Sequence, residues 1–227
     1  MKVAFYGFDT VLECPPGQTT VFEIESKPLF SGVCQSLISE MKDQALEPYI
    51  LWDDSGEPLK SADNPIIIVN PFDLPWGNRR ITGVLYDRLE RILTEDDSMR
   101  STIESLGAQL SSHILGLSLQ LEGNYGFGLE WEMPKYLKAF GFVPDYSETD
   151  RLIDNLESFL AVAADVELKQ ALVFINLRKF LSSEELSRFE VSVKKSNMSV
   201  LLLESCSPGS EYDSENVHGI DLQLLEY

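Results

Sequence analysis

The sequence predicts an α/β fold: a mostly parallel-sheet head interrupted by an inserted α-helical leg. Three observations carry that expectation. PIIIVN at 65–70 is too continuously apolar for a half-exposed strand and reads as buried on both faces, as in a parallel sheet. ALVFINL, then a helix opened by Ser182-Ser183-Glu184-Glu185, then MSVLLLES form a strand–helix–strand unit, which implies a right-handed parallel crossover. The middle third instead repeats its apolar residues at steps of three and four.

Along the chain, MKVAFY and TTVFEIES read as strands, the second alternating Val21, Glu23 and Glu25 against Phe22 and Ile24. PLFSGVCQSLISEMK follows as a helix, with Leu29, Val33, Leu37 and Met41 at steps of four and Pro28 in its first turn. PYILW and PIIIVN are further strands across the polar turn DDSGEPLKSADN. GVLYDRLERIL reads as a helix, and after EDDS a longer one carries Met99, Ile103, Leu106, Leu110, Ile114, Leu117 and Leu121 over about 35 Å. EGNYGFGLEW is a glycine-rich turn and MPKYLKAFG a short helix. SETDRLIDNLESFLAVAADVEL reads as a long helix, with Ser147 and Asp150 spaced like a capping box. The helix from Ser182 runs to about Asn197, and IDLQLLEY reads as an amphipathic last strand. Residues 1–80 and 170–227 therefore make the head, sharing one sheet, and 81–169 the leg.

Composition narrows the function classes. With 227 residues, 44% hydrophobic and 24% charged, the chain can bury a substantial core. MKVAFYGF is interrupted at Asp9 and does not read as a signal peptide, and no apolar run suits a membrane span. Cys14, Cys34 and Cys206 lack a paired spacing, which predicts reduced thiols in a cytoplasm; with His113 and His218 isolated, no zinc pattern arises. Cys34 reads as a small core residue, and His113, among Leu110, Ile114 and Leu117, as a partly buried structural histidine. Eighteen basic against 37 acidic residues give a net charge of −19, which repels nucleic acid unless a locally basic surface reverses it.

An α/β sheet invites a search for a phosphate loop, and the turn Glu25-Ser26-Lys27-Pro28 is the place for one. A phosphate cradle needs converging backbone N–H groups, yet only Gly32 occurs and Pro28 removes a donor. The strand LVFI ends in Asn176 where a magnesium-holding Asp would be expected. No nucleotide is therefore expected, and Lys27 reads as a solvated cation or a phosphate contact. Arg79 and Arg80 stand where the helical insertion begins, Arg178 and Lys179 at a strand exit, Lys194 and Lys195 at a helix end. The last pair also suits a helix dipole, while Arg178 and Lys179 stand where parallel sheets bind ligands, or else pair with Glu184 or Glu185. Glu122, Glu130 and Glu132 flank the glycine turn and offer oxygens to Ca²⁺, or form a solvated acidic turn.

The order of TTVFEIESKPLFSGVCQSL, PIIIVNPFDL, a helical insertion containing LQLEGNYGFGLEWEMPKYLKAFGF, then ALVFINLRKFLSSEEL and MSVLLLES resembles the spacer-acquisition accessory protein of type II-A CRISPR systems. The resemblance spans nearly the whole chain and rests on element order plus the patches IES-x-x-LFS and LVFINL-x-x-FLS-x-EEL. It implies a degenerate P-loop ATPase-like head that has lost nucleotide hydrolysis, and a homotetrameric ring threaded by double-stranded DNA ends. It also implies work with the CRISPR integrase and effector nuclease, and calcium near Glu130 and Glu132; the DNA-contact candidates Lys27, Arg79, Arg80, Arg178, Lys179, Lys194 and Lys195 rest on the local reading of the sequence instead. The turn here holds Tyr125, Phe127 and Trp131 where more carboxylates would be expected. Two other classes stay open: a divergent nucleotide-dependent enzyme, and an acidic scaffold that meets only proteins.

Overall fold

The computed structural model describes residues 1–53, 55–128, 130–146, 149–205 and 217–227. Two compact units emerge: Met1–Pro75 with Tyr146–Tyr227, and Trp76–Asp145.

The first unit contains a five-stranded, wholly parallel sheet of β3 (Thr19–Ile24), β5 (Ile66–Ile68), β6 (Leu172–Ile175), β7 (Val200–Ser205) and β8 (Val217–Ile220), in the order β5-β6-β7-β3-β8. Side chains alternate between the two faces of such a sheet, and both faces are covered. On one, Val173, Leu201, Leu203, Phe22 and Ile24 join a core with Val33 and Leu37 of α1 (Lys27–Ser39). On the other, Phe174 meets Phe189 of α6 (Ser183–Ser196) edge to face, ring centres 5.6 Å apart. α5 (Leu152–Asp165) packs beside α6 through buried Leu156, Phe159 and Leu160. Arg188 of α6 reaches Glu157 at 2.7 Å and Asp154 at 3.0 Å across that seam.

The expectation of one shared sheet is corrected at the N-terminus. β1 (Lys2–Phe5), β2 (Val11–Glu13) and β4 (Tyr49–Trp52) form a separate antiparallel sheet in the order β2-β1-β4. Phe5 is the join, with its ring 6.0 Å from Phe22 of the large sheet and 5.8 Å from Tyr49. The predicted last strand IDLQLLEY is also corrected: the strand lies before it, sharing only Ile220, and residues 221–227 turn back instead. β8 stops at Ile220, and Asp221 accepts from the N–H groups of Gln223 and Leu225 to turn the chain back. Gly219 permits the return, since a Cβ there would lie 2.1 Å from the Tyr227 ring.

The second unit is helical: α2 (Arg79–Glu95), α3 (Asp97–Ser118) and α4 (Met133–Ala139), with α2 packing on both others. Asn78 caps α2 through the Arg80 N–H at 2.8 Å, and Asp96 caps α3 through Met99 N–H at 2.9 Å. Gly107, inside α3, is buried against the Trp131 indole, where a Cβ would come within 2.4 Å. The leg boundary therefore shifts: residues 146–169, with α5, belong to the first unit. An amphipathic helix announces an apolar face but not the element that covers it. Of the predicted cap for α5, Ser147 lies outside the described residues; the helix starts after Arg151. His113 is exposed rather than partly buried, because the apolar stripe around it is itself exposed.

Candidate nucleic-acid interface

In a parallel sheet the strand ends align, and the carboxyl edge is where ligands are usually held. Ile24 of β3 registers with Ser205 of β7, and Ile175 of β6 with Leu203, so the exits of these strands stand side by side. Asn176 follows β6 in the left-handed region, at φ 55°, which Asn tolerates better than most residues. Its Oδ1 accepts from the backbone N–H of Ser205 at 2.9 Å and from the Ser205 hydroxyl at 2.8 Å. The amide thus ties β6 to β7. The position where a hydrolase would hold magnesium thus serves here as a strand-to-strand tie.

The 3-10 turn Leu177–Phe180 then sends its two cations in opposite directions. Lys179 is exposed and donates from Nζ to the Ser205 hydroxyl. Arg178 turns inward; its side chain is only 4% exposed, and its Nη1 donates to Glu23 Oε1 at 3.1 Å. Its backbone N–H donates to Glu204 Oε1 at 3.0 Å. Arg178 is therefore corrected as a phosphate contact: its guanidinium is held between strands, and its partner is Glu23 rather than Glu184 or Glu185. Glu23 and Glu204 register directly opposite each other on β3 and β7. Burial pushes the Glu204 carboxyl up to about 7, against the lowering pull of the Arg178 N–H, Arg178 and Lys179.

The apparent phosphate-loop position is likewise structural. Lys27 is exposed at the first residue of α1, just past β3, and Ser26 makes no side-chain cap. Gly32 is buried mid-helix, where a Cβ would meet Glu47 Oε1 at 2.9 Å. It is a close-packing glycine, not part of an anion cradle.

Across the chain the predicted cations fall into three places. Lys27 and Lys179 lie at the carboxyl edge of the sheet. Lys194 and Lys195 are exposed in the last turn of α6, which returns to the amino end of β7. Arg79 and Arg80 open α2 in the other unit, Arg79 exposed and Arg80 half-buried. Glu23 and Glu204 went unremarked as site residues, although single acids within VFEI and LLLES were a visible signal. Phe72 and Phe180 were missed as well; they follow the apolar runs of β5 and β6.

The calcium expectation fares differently. Glu122, Glu130 and Glu132 are exposed, and Glu132 holds Lys135 at 2.7 Å. Glu130 lines an open groove of about 810 Å³ with Glu104, Ser111, Phe127 and Trp131. Among the described residues, no three acidic, histidine or cysteine side chains converge as a metal site. Among the described residues, Glu122, Glu130 and Glu132 are therefore not brought together around one ion within a single chain. Of the thiols, Cys14 and Cys34 are free, and burial raises both to about 11, which leaves them unreactive at neutral pH; Cys206 lies outside the described residues. Among the described residues no helix is long and apolar enough to cross a membrane.

A family model described as CRISPR-associated protein (Cas_Csn2) matches residues 43–217. Among solved structures, the crystal structure of Stu0660 of Streptococcus thermophilus is similar at 17% identity and a TM-score of 0.59, over 97% of this chain and 74% of that one. Identity this low carries the fold alone. No curated protein matches.

Proposed function

Since the chain belongs to the CRISPR-associated Csn2 family, we propose that it is a non-catalytic protein that binds double-stranded DNA ends as a homotetrameric ring during spacer acquisition. It acts in the cytoplasm beside the CRISPR integrase and effector nuclease. The observation that carries this reading is the placement of charge. On a chain of net charge −19, Lys27 and Lys179 are exposed at the carboxyl edge of the sheet and Lys194 and Lys195 at the helix end leading into β7, clusters too small to offset the repulsion of a duplex by one copy. Several copies arranged around one axis multiply each place and confine phosphate attraction to the lumen.

Two further features support it. At the carboxyl edge, Asn176 is committed to Ser205, and the carboxylates Glu23 and Glu204 are engaged by Arg178. Arg178 thus engages both acids, Glu23 through its guanidinium and Glu204 through its backbone N–H, and Pro28 and Gly32 build no phosphate loop. For assembly, α3 presents Met99, Leu106, Leu110, Ile114 and Leu117 along one exposed stripe. An exposed apolar stripe of this kind marks an interaction surface, assigned here to another subunit.

The experiment is a mobility-shift series with a short linear duplex and a covalently closed minicircle of the same sequence. Linear duplex binds, the minicircle does not, and log affinity falls linearly with log salt. Equal binding of both DNAs refutes threading. Absence of binding at low salt favours a scaffold that meets only proteins.

A further inference from the structure

Beside Lys179, the carboxyl edge carries an aromatic pair with no role in the core. Phe72 follows β5 and is 66% exposed; Phe180 follows β6 and is 49% exposed. Their rings meet edge to face, centres 5.2 Å apart at 81°. That arrangement leaves a ring face open to solvent. β5, β6 and β7 are consecutive neighbours in the sheet, so Phe72, then Phe180 with Lys179, then Ser205 form a row. At about 4.8 Å per strand the row is about 10 Å long, the scale of one nucleotide.

On the DNA-binding reading above, we infer that this row holds an unpaired nucleotide at a DNA end, its base against Phe72 and Phe180 and its phosphate on Lys179. The chemistry matches each part. An open aromatic face stacks any base without regard to sequence, and a neighbouring cation tracks the phosphate. The Lys179 ammonium has three protons, and the Ser205 hydroxyl takes one of them. Arg178 already engages the acid of β3 and, through its backbone N–H, that of β7, which moderates repulsion at the edge. A purely apolar partner would bury the Lys179 ammonium with no acceptor of its own to offer it. The substrate class is therefore a duplex end with a frayed or overhanging strand, rather than a blunt one.

The test uses fluorescence anisotropy with three probes sharing one duplex: blunt, with a four-thymidine 3′ overhang, and with an overhang of four abasic sites. The thymidine overhang binds at least about fivefold tighter than the abasic one, because both carry the same phosphates and only one can stack. In Phe72→Leu/Phe180→Leu that ratio falls to about one. Equal affinity for thymidine and abasic overhangs in the wild-type protein, with duplex still bound, overturns this inference alone. Failure of all three probes to bind overturns it together with the DNA reading. A fall in oligomer mass in the double variant, measured by light scattering without DNA, marks the pair as an interface between copies and also overturns it.

Discussion

Replacing Glu204 with Gln tests the buried charge cluster at the head's carboxyl edge. The amide keeps an oxygen for the Arg178 N–H, which Glu204 now accepts at 3.0 Å, and removes the titratable charge. Burial raises this carboxyl from 4.5 to about 7 in the folded protein. Between those values the folded state is the better proton binder, so stability falls as pH rises through the window. From pH 5.5 to 8 about 1.5 units of that window are crossed, worth roughly 2 kcal/mol. Asp154 and Glu226 shift the other way: the Arg151 and Arg188 contacts lower the first, and hydrogen bonds from Thr10 and Asp9 outweigh burial at the second. Both contribute stability above the usual carboxylate range that is lost toward acid. They are common to both proteins and cancel in the difference. Urea unfolding at fixed protein concentration, at half-unit pH steps, reads that difference directly. Glu204→Gln gains on the wild-type protein by roughly 2 kcal/mol between pH 5.5 and 8. Parallel curves for the two proteins would refute the buried-carboxyl account.

Two more outcomes follow from packing. Gly107→Ala sets a Cβ 2.4 Å from the Trp131 ring and destabilises the helical unit by about 1–3 kcal/mol, read as an earlier tryptophan-fluorescence melt; wild-type melting would contradict the contact. Leu110→Glu/Ile114→Glu, at positions exposed in one chain, leaves circular dichroism unchanged but lowers the mass found by light scattering; an unchanged oligomer would clear the α3 stripe of an assembly role.

Much of the head was legible because its strands advertise double-sided burial. Ile66–Ile68, Leu172–Ile175 and Val200–Leu203 have no polar face, and they became neighbours in a parallel sheet. The α6 capping box was equally local, Ser182 and Glu185 bonding as their spacing predicts. What failed to show was non-local. β1 has a strand pattern that fits either sheet, and only its pairing with β2 and β4 decides. α5 displays an apolar face that suits the leg as well as α6.

The site illustrates the same limit at the scale of one side chain. Arg178 and Lys179 are adjacent in sequence, which suggested a joint cationic patch. The 3-10 turn rotates one toward Glu23, 155 positions away, and leaves the other in solvent. Neither spacing nor composition encodes that partner. Asn176 was visible as a departure from a hydrolase strand, but its bond to Ser205 required the parallel register.

If several copies enclose a duplex that enters by its ends, loading the protein on linear DNA, blocking both ends with biotin–streptavidin and raising the salt to suppress phosphate attraction separates enclosure from surface binding. Enclosed protein stays on blocked DNA and escapes from open DNA. Equal and rapid loss from both would contradict the account.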